Sequence, residues 1–138
     1  MTPPPATVQM AGIVVPLAIV AQPLSRSEAS LYLIVRNGTP QDDELVGVST
    51  PVASMASLHD SFGGGKMASI PSAPVPHGGD LRLEPGARHA MLMGLTRDLH
   101  AGDTVFVTLT LKQAGPLEAA AIVVPYADVQ TMFDRAKR

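Results

Sequence analysis

The sequence predicts an all-β domain, an antiparallel sandwich or barrel of about eight or nine short strands. Three observations carry that reading. Twelve Gly and 13 Pro punctuate 138 residues, so apolar runs stay short. The clearest run, Thr104-Val-Phe-Val-Thr-Leu-Thr-Leu111, alternates strictly. A helical period is absent until the last dozen or so residues.

Each element follows from its residues. The first apolar run, 11–21, is too short to span a bilayer, lacks a preceding Lys or Arg, and contains Pro16. It reads as a buried or edge strand. Leu31-Tyr-Leu-Ile-Val35 and 119–124 read as more fully buried strands. Residues 44–49, 52–60, 66–70, 81–83 and 88–93 are further strands. In 104–111, Val105, Val107, Leu109 and Leu111 share the inward face, and Phe106 lies outward with the threonines. Turns fall at Asn37-Gly-Thr-Pro40, Gly63-Gly-Gly65, Glu84-Pro-Gly86 and Gly102-Asp103. Pro71 to Gly79 reads as irregular. Val129, Met132, Phe133 and Ala136 line one face of a short C-terminal helix. One domain over 8–126 is expected, with 1–7 a disordered leader and 127–138 a tail or short helix.

Composition excludes several function classes. With no Cys, there is no disulfide scaffold, thiol nucleophile, Cys-ligated zinc, iron–sulfur cluster or blue-copper site. A net charge of -2 offers no basic field for nucleic acid. No GxSxG elbow, P-loop, GxGxxG or HExxH appears. With no targeting segment visible, either the protein is cytoplasmic or a leader precedes this chain.

The distribution of His and Met remains. His89 and Met91 are two apart in a strand, so they share a face about 6.5–7 Å apart. A hairpin centred on Gly63 would pair His59 with Met67, Asp60 with Lys66 and Ser61 with Gly65. Each His–Met pair could chelate. Thioether sulfur is soft and selects Cu(I), with tolerance for Cu(II) through the imidazoles. From the residues alone two readings stand: a neutral His/Met copper site, or methionines that fill a core and histidines that are merely hydrogen-bonded. Met93 continues the face of His89 and Met91 and is assigned to packing, as are Met10 and Met55. His77 and His100 lie in loops and are assigned to solvent.

The stretch His89-Ala-Met-Leu-Met-Gly-Leu95 resembles the HxMLMGL signature of the PCuAC-type copper chaperones. That family's pattern is His, then Met, then 21 residues, then His-x-Met. Here residues 68–88 separate Met67 from His89, which is 21. Leu45-Val-Gly-Val-Ser-Thr-Pro-Val-Ala-Ser54, Leu83-Glu-Pro-Gly86 and Gly102 to Leu111 resemble its flanks. The resemblance covers roughly residues 30–125. Two departures stand out. The segment between His59 and Met67 has seven residues, about three or four fewer than the family pattern, with Gly63-Gly-Gly65 at the deletion. The first strand is apolar where the family carries a polar-aromatic segment with Trp.

The resemblance implies a cupredoxin-like Greek-key β-sandwich and a copper site of His59, Met67, His89 and Met91. It implies a non-enzymatic, exported protein, periplasmic or otherwise extracytoplasmic, whose leader or anchor is absent from this chain. The implied recipient is the dinuclear copper site of cytochrome c oxidase, with a Sco-type protein as a further partner. The alternatives from other classes are a structural or adhesive β-sandwich and a copper-dependent redox enzyme. The structural alternative predicts buried methionines and a His59 distant from His89.

Overall fold

A proline inside an apolar strand removes one ladder hydrogen bond, and the first long strand of the domain accommodates that loss with a bulge. In the computed structural model, residues 8–10, 12–61 and 67–136 are described. The leader 1–7, the hairpin tip with Gly63-Gly-Gly65 and the last two residues lie outside them.

The elements in chain order are β1 (Val8–Met10), β2 (Ile13–Ala21), β3 (Glu28–Asn37), β4 (Asp43–Ser49), β5 (Ala53–Ser61) and β6 (Met67–Ile70). They continue with β7 (Ala73–Val75), β8 (Asp80–Leu83), β9 (His89–Leu95), β10 (Thr104–Leu111) and β11 (Gly115–Val124). A 3₁₀ turn over Tyr126–Asp128 leads into the helix α1 (Val129–Ala136).

All nine strands expected from the sequence are present. Two short ones, β1 and β7, add to them. β7 lies within the segment read as irregular, because its alternation spans just three residues around Pro74. Ala73 and Val75 point inward while Pro74 is exposed, and β7 is an edge strand on β4. That is the sheet position where a missing N–H is tolerated.

The strands form one sheet in the order β6-β5-β9-β3-β2-β11-β10-β4-β7, with β1 on β2 and β8 on β3. It curls over a single large core. Neighbours pair antiparallel except β11 and β2, which run parallel over Ile122–Val124 and Ile19–Ala21. The run 11–21 therefore supplies an interior strand, between β3 and β11. In β2 the inward set changes from Ile13 and Val15 to Ala18 and Val20. The register with β3 shifts between Val14 and Leu17, around Pro16. This bulge flips the face of the rest of the strand.

β3 forks the sheet. Its first half, Glu28–Leu31, pairs with β9, and its second half, Leu33–Arg36, pairs with β8. Its inward residues Ala29, Leu31, Leu33 and Val35 join the main core. Its outward residues Tyr32 and Ile34 join a second cluster with Leu17, Ile19, Val129 and Phe133. α1 thus covers the outer face of β2, β3 and β11 with the side that the spacing of Val129, Met132, Phe133 and Ala136 predicts. Phe133 is fully buried there. The outer face of β9 and β5 begins where this helical cover ends.

Candidate metal site

Strand alternation decides which side chains can meet. In β9, Ala90 and Leu92 enter the core, so His89, Met91 and Met93 take the outer face. In β5, Leu58 enters the core, so Ser57 and His59 lie outward. The β5–β9 register sets His59 opposite His89, Ser57 opposite Met91 and Met55 opposite Met93. β3 completes the rungs with Ser30 opposite Met91 and Glu28 opposite Met93.

The two imidazoles stack, with centroids 5.7 Å apart and planes 18° from parallel. On its other side His89 meets Tyr32, at 6.3 Å between ring centroids. Tyr32 in turn takes the edge of Phe133 from α1 at 6.2 Å. His89 is 8% exposed, whereas His59 and Met91 are half-buried.

Hydrogen bonds orient the donor atoms. Nδ1 of His89 lies 3.1 Å from the carbonyl oxygen of Ala87. A carbonyl accepts only, so Nδ1 carries the proton and the lone pair of the neutral ring sits on Nε2. A backbone carbonyl that accepts the other ring N–H commonly fixes the tautomer of a metal-ligating histidine. The Ser57 hydroxyl contacts Nε2 of His59 at 2.8 Å. The Ser30 hydroxyl donates to the sulfur of Met91 at 3.6 Å. Beyond the His59–His89 rung, Arg88 pairs with Asp60 at 3.2 Å and clamps the ladder's end.

Among the described residues, no three His, Asp or Glu side chains gather where they could hold one ion. The grouped donors are imidazole nitrogens and thioether sulfur. Hard cations such as Mg²⁺ or Ca²⁺ want oxygen, whereas this set favours a soft d¹⁰ ion.

Three expectations about this region need correction or qualification. The β5–β6 hairpin is not centred on Gly63: Ser61 pairs with Met67, and His59 pairs with Ser69. His59's partner is thus two residues further on than expected, which preserves parity. Met67 is consequently two residues from His59's partner rather than opposite His59. Met55 does not fill a core; it is 60% exposed on the outer face. Met10 lies in β1, but its side chain is outside the described part, as is that of Met67. His77 and His100 are exposed as expected, His77 beside Asp42 at 3.8 Å.

Sequence reasoning missed Ser30, Ser57 and Tyr32. For Ser57 the signal was present in Ser57-Leu58-His59, where the serine sits two residues from the histidine and so on the same strand face. Nearby, the loop 22–27 is tied to 96–103 by Arg26 and Asp98 at 2.8 Å. The hydrogen bond from Arg26 holds the Asp98 carboxyl below its ordinary range. This loop borders a groove of about 410 Å³ that is lined in part by Leu24, Tyr126, Ser30 and Met91.

The family described as "Putative lipoprotein LpqE-like" matches residues 13–123. The chain belongs to the LpqE-like family. A curated relative of this LpqE-like chain is "Putative lipoprotein Lxx21020" of Leifsonia xyli subsp. xyli, 32% identical over 88 residues. That match covers 61% of the chain, and the chain spans about half the length of the relative (51%). Among solved structures, the copper-bound PCuAC domain from PmoF2 superposes with a TM-score of 0.75 at 23% identity. It covers 91% of this chain and 99% of that one. The solution structure of CuI-DR1885 from Deinococcus radiodurans has a TM-score of 0.65 at 36% identity. It covers 78% of this chain and 75% of the DR1885 chain. The LpqE-like chain therefore has the PCuAC cupredoxin-like fold, and DR1885 is its relative in sequence as well.

Proposed function

We propose that this chain is a copper metallochaperone that binds one Cu(I) through His59, His89, Met91 and Met67. The observation that carries the reading is the rung pattern: His59 and His89 are directly opposite and stacked at 5.7 Å, with Met91 on the next rung. An incidental set of histidines has no reason to share a rung beside a thioether. The kinship with DR1885, solved in its CuI form, adds support. So does the fold shared with the copper-bound PmoF2 domain.

His89 donates from Nε2, the nitrogen left free by the Ala87 hydrogen bond. His59 donates from a ring whose Nε2 meets the displaceable Ser57 hydroxyl. Met91 gives sulfur in exchange for its hydrogen bond from Ser30. Met67, whose backbone pairs with Ser61, is in phase with His59 along the ladder and supplies the fourth donor. All four ligands are neutral, so a bound Cu(I) keeps its single positive charge. Thioether bonds to Cu(I) are weak enough to be replaced one at a time by a recipient's ligands. Transfer then needs no chemistry on a substrate, and the chain acts as a carrier rather than an enzyme. Imidazole donors would also tolerate Cu(II).

The recipient in this reading is the dinuclear copper site of a cytochrome c oxidase subunit, or a Sco-type protein that serves it. The lipoprotein relatives favour a place outside the cytoplasmic membrane, reached by way of a leader or lipid anchor. A site without Cys also avoids the thiol oxidation ladder there.

The test is an anaerobic Cu(I) titration against a chromophoric chelator. One tightly held Cu(I) per chain, lost in His89→Ala and Met67→Leu, is the expected result. Failure to compete with the chelator leaves a β-sandwich with a structural role.

A further inference from the structure

We infer that Met55 and Met93, together with Met91, form a second thioether station for a soft monovalent cation, next to the His59–His89 site. The inference rests on the proposed copper reading and deepens it, because the station shares Met91 with that site.

Methionine in a β-domain ordinarily fills gaps in the core. Met55 does not. It stands 60% exposed on the outer face of β5, directly opposite Met93 of β9. Cross-strand partners have Cβ atoms about 5 Å apart. Thioether side chains are long and unbranched, so two sulfurs at that spacing can reach a common ion. Met91 lies two residues from Met93 on the same face, roughly 6.5–7 Å along the strand. The backbone positions of the three methionines thus mark the corners of a small triangle over two rungs, within reach of one ion for side chains of this length. Three thioethers suffice for a trigonal site for Cu(I) or Ag(I), and no hard cation competes well for them.

The neighbours fit this use. Met93's partner on β3 is Glu28, an exposed carboxylate. Its charge raises the local concentration of cations without offering a soft ligand. Ser54, on β5 beside Met55, donates its hydroxyl to the carbonyl oxygen of Met93 at 3.1 Å and steadies this end of β9. Exposure falls along the stripe from Met55 through half-buried Met93 and Met91 to His89. A cation captured at the solvent end is passed inward by exchanging thioethers, with Met91 common to both stations. No bond within the protein is made or broken, and the ion keeps its oxidation state.

The experiment is a titration with Ag(I), a redox-inert soft cation, of protein carrying ¹³C-methyl methionine. The first equivalent is expected to move the Met91 methyl signal. The second is expected to move those of Met55 and Met93 and to shift Met91 again, its thioether bridging the two ions. The double variant Met55→Leu/Met93→Leu, close in volume and so well folded, should keep the first response and take up one equivalent fewer. If Met91 responds while Met55 and Met93 stay fixed through two equivalents, the second station is refuted and the chaperone site stands. If no methyl signal moves, both readings fall. If Met55 and Met93 respond but Met91 does not, the thioether station as drawn is refuted, since it requires Met91.

Discussion

His59 and His89 face each other across the β5–β9 ladder, their rings stacked at 5.7 Å and 18° from parallel. Removing either ring takes away one of the two imidazole donors of the proposed site. His89→Ala and His59→Ala are each expected to weaken Cu(I) binding by at least about a hundredfold, on the order of 3 kcal/mol. Chelator competition reads the loss, and circular dichroism verifies that the sheet survives. Affinity unchanged in both variants would remove the site from consideration.

Two serine hydroxyls occupy the positions on His59 and Met91 from which copper would be bound. Ser57 holds Nε2 of His59, and Ser30 holds the Met91 sulfur. A hydrogen bond of this kind is worth about 0.5–1.5 kcal/mol net. Ser57→Ala should therefore tighten Cu(I) binding by about two- to tenfold, read in the same competition assay. Weaker binding would mean instead that the hydroxyl orients the ring for the metal.

Phe133 links the C-terminal helix to the site through Tyr32 and then His89. It is fully buried. Phe133→Ala should cost about 3–5 kcal/mol in urea unfolding, as large aromatic truncations do. The imidazole resonances of His89 should move as Tyr32 loses its edge contact. A variant of wild-type stability would show that the helix contributes little.

Gly94 adopts φ +62° within β9, and a Cβ there would collide with the Ser54 side chain. Gly94→Ala carries about 1–2 kcal/mol of left-handed strain, and the collision adds to it. Ser54→Ala in the same chain should relieve the collision and leave the backbone strain. Equal stabilities of the single and double variants would show that the side chain of Ser54 is not the obstacle.

Asp103 accepts the backbone N–H of His100 at 2.9 Å and, at 3.3 Å, a hydrogen bond from Arg97. These contacts, the His100 bond foremost, hold its carboxyl below the ordinary value against the opposing effect of desolvation. Because the folded state favours the ionised form, the contribution is present above the unfolded pKa and is lost as pH falls through the lowered one. Asp103→Asn should flatten the acid limb of a thermal-stability profile. A profile with the same acid limb would exclude this carboxylate as a contributor.

The alternation of inward and outward residues, and with it the nine longer strands and most of their faces, is legible in the local pattern of the chain. The period-two pattern of Thr104–Leu111 places Val105, Val107, Leu109 and Leu111 in the core without reference to any neighbour. The same rule puts His89 and Met91 on one face, because side-chain direction is a property of a single strand. Pairing is not. Strand order and register arise from contacts between segments distant in the chain, so they emerge only when those segments pack together. That packing set His59 against His89, 30 residues apart in sequence, and moved Met67 opposite Ser61. Likewise it left Met55 in solvent, where an apolar side chain read alone looked like core. It also brought β11 parallel to β2 and laid α1 over Tyr32. The local pattern specifies which atoms a strand presents on each face, and the long-range ladder selects which of them can share an ion.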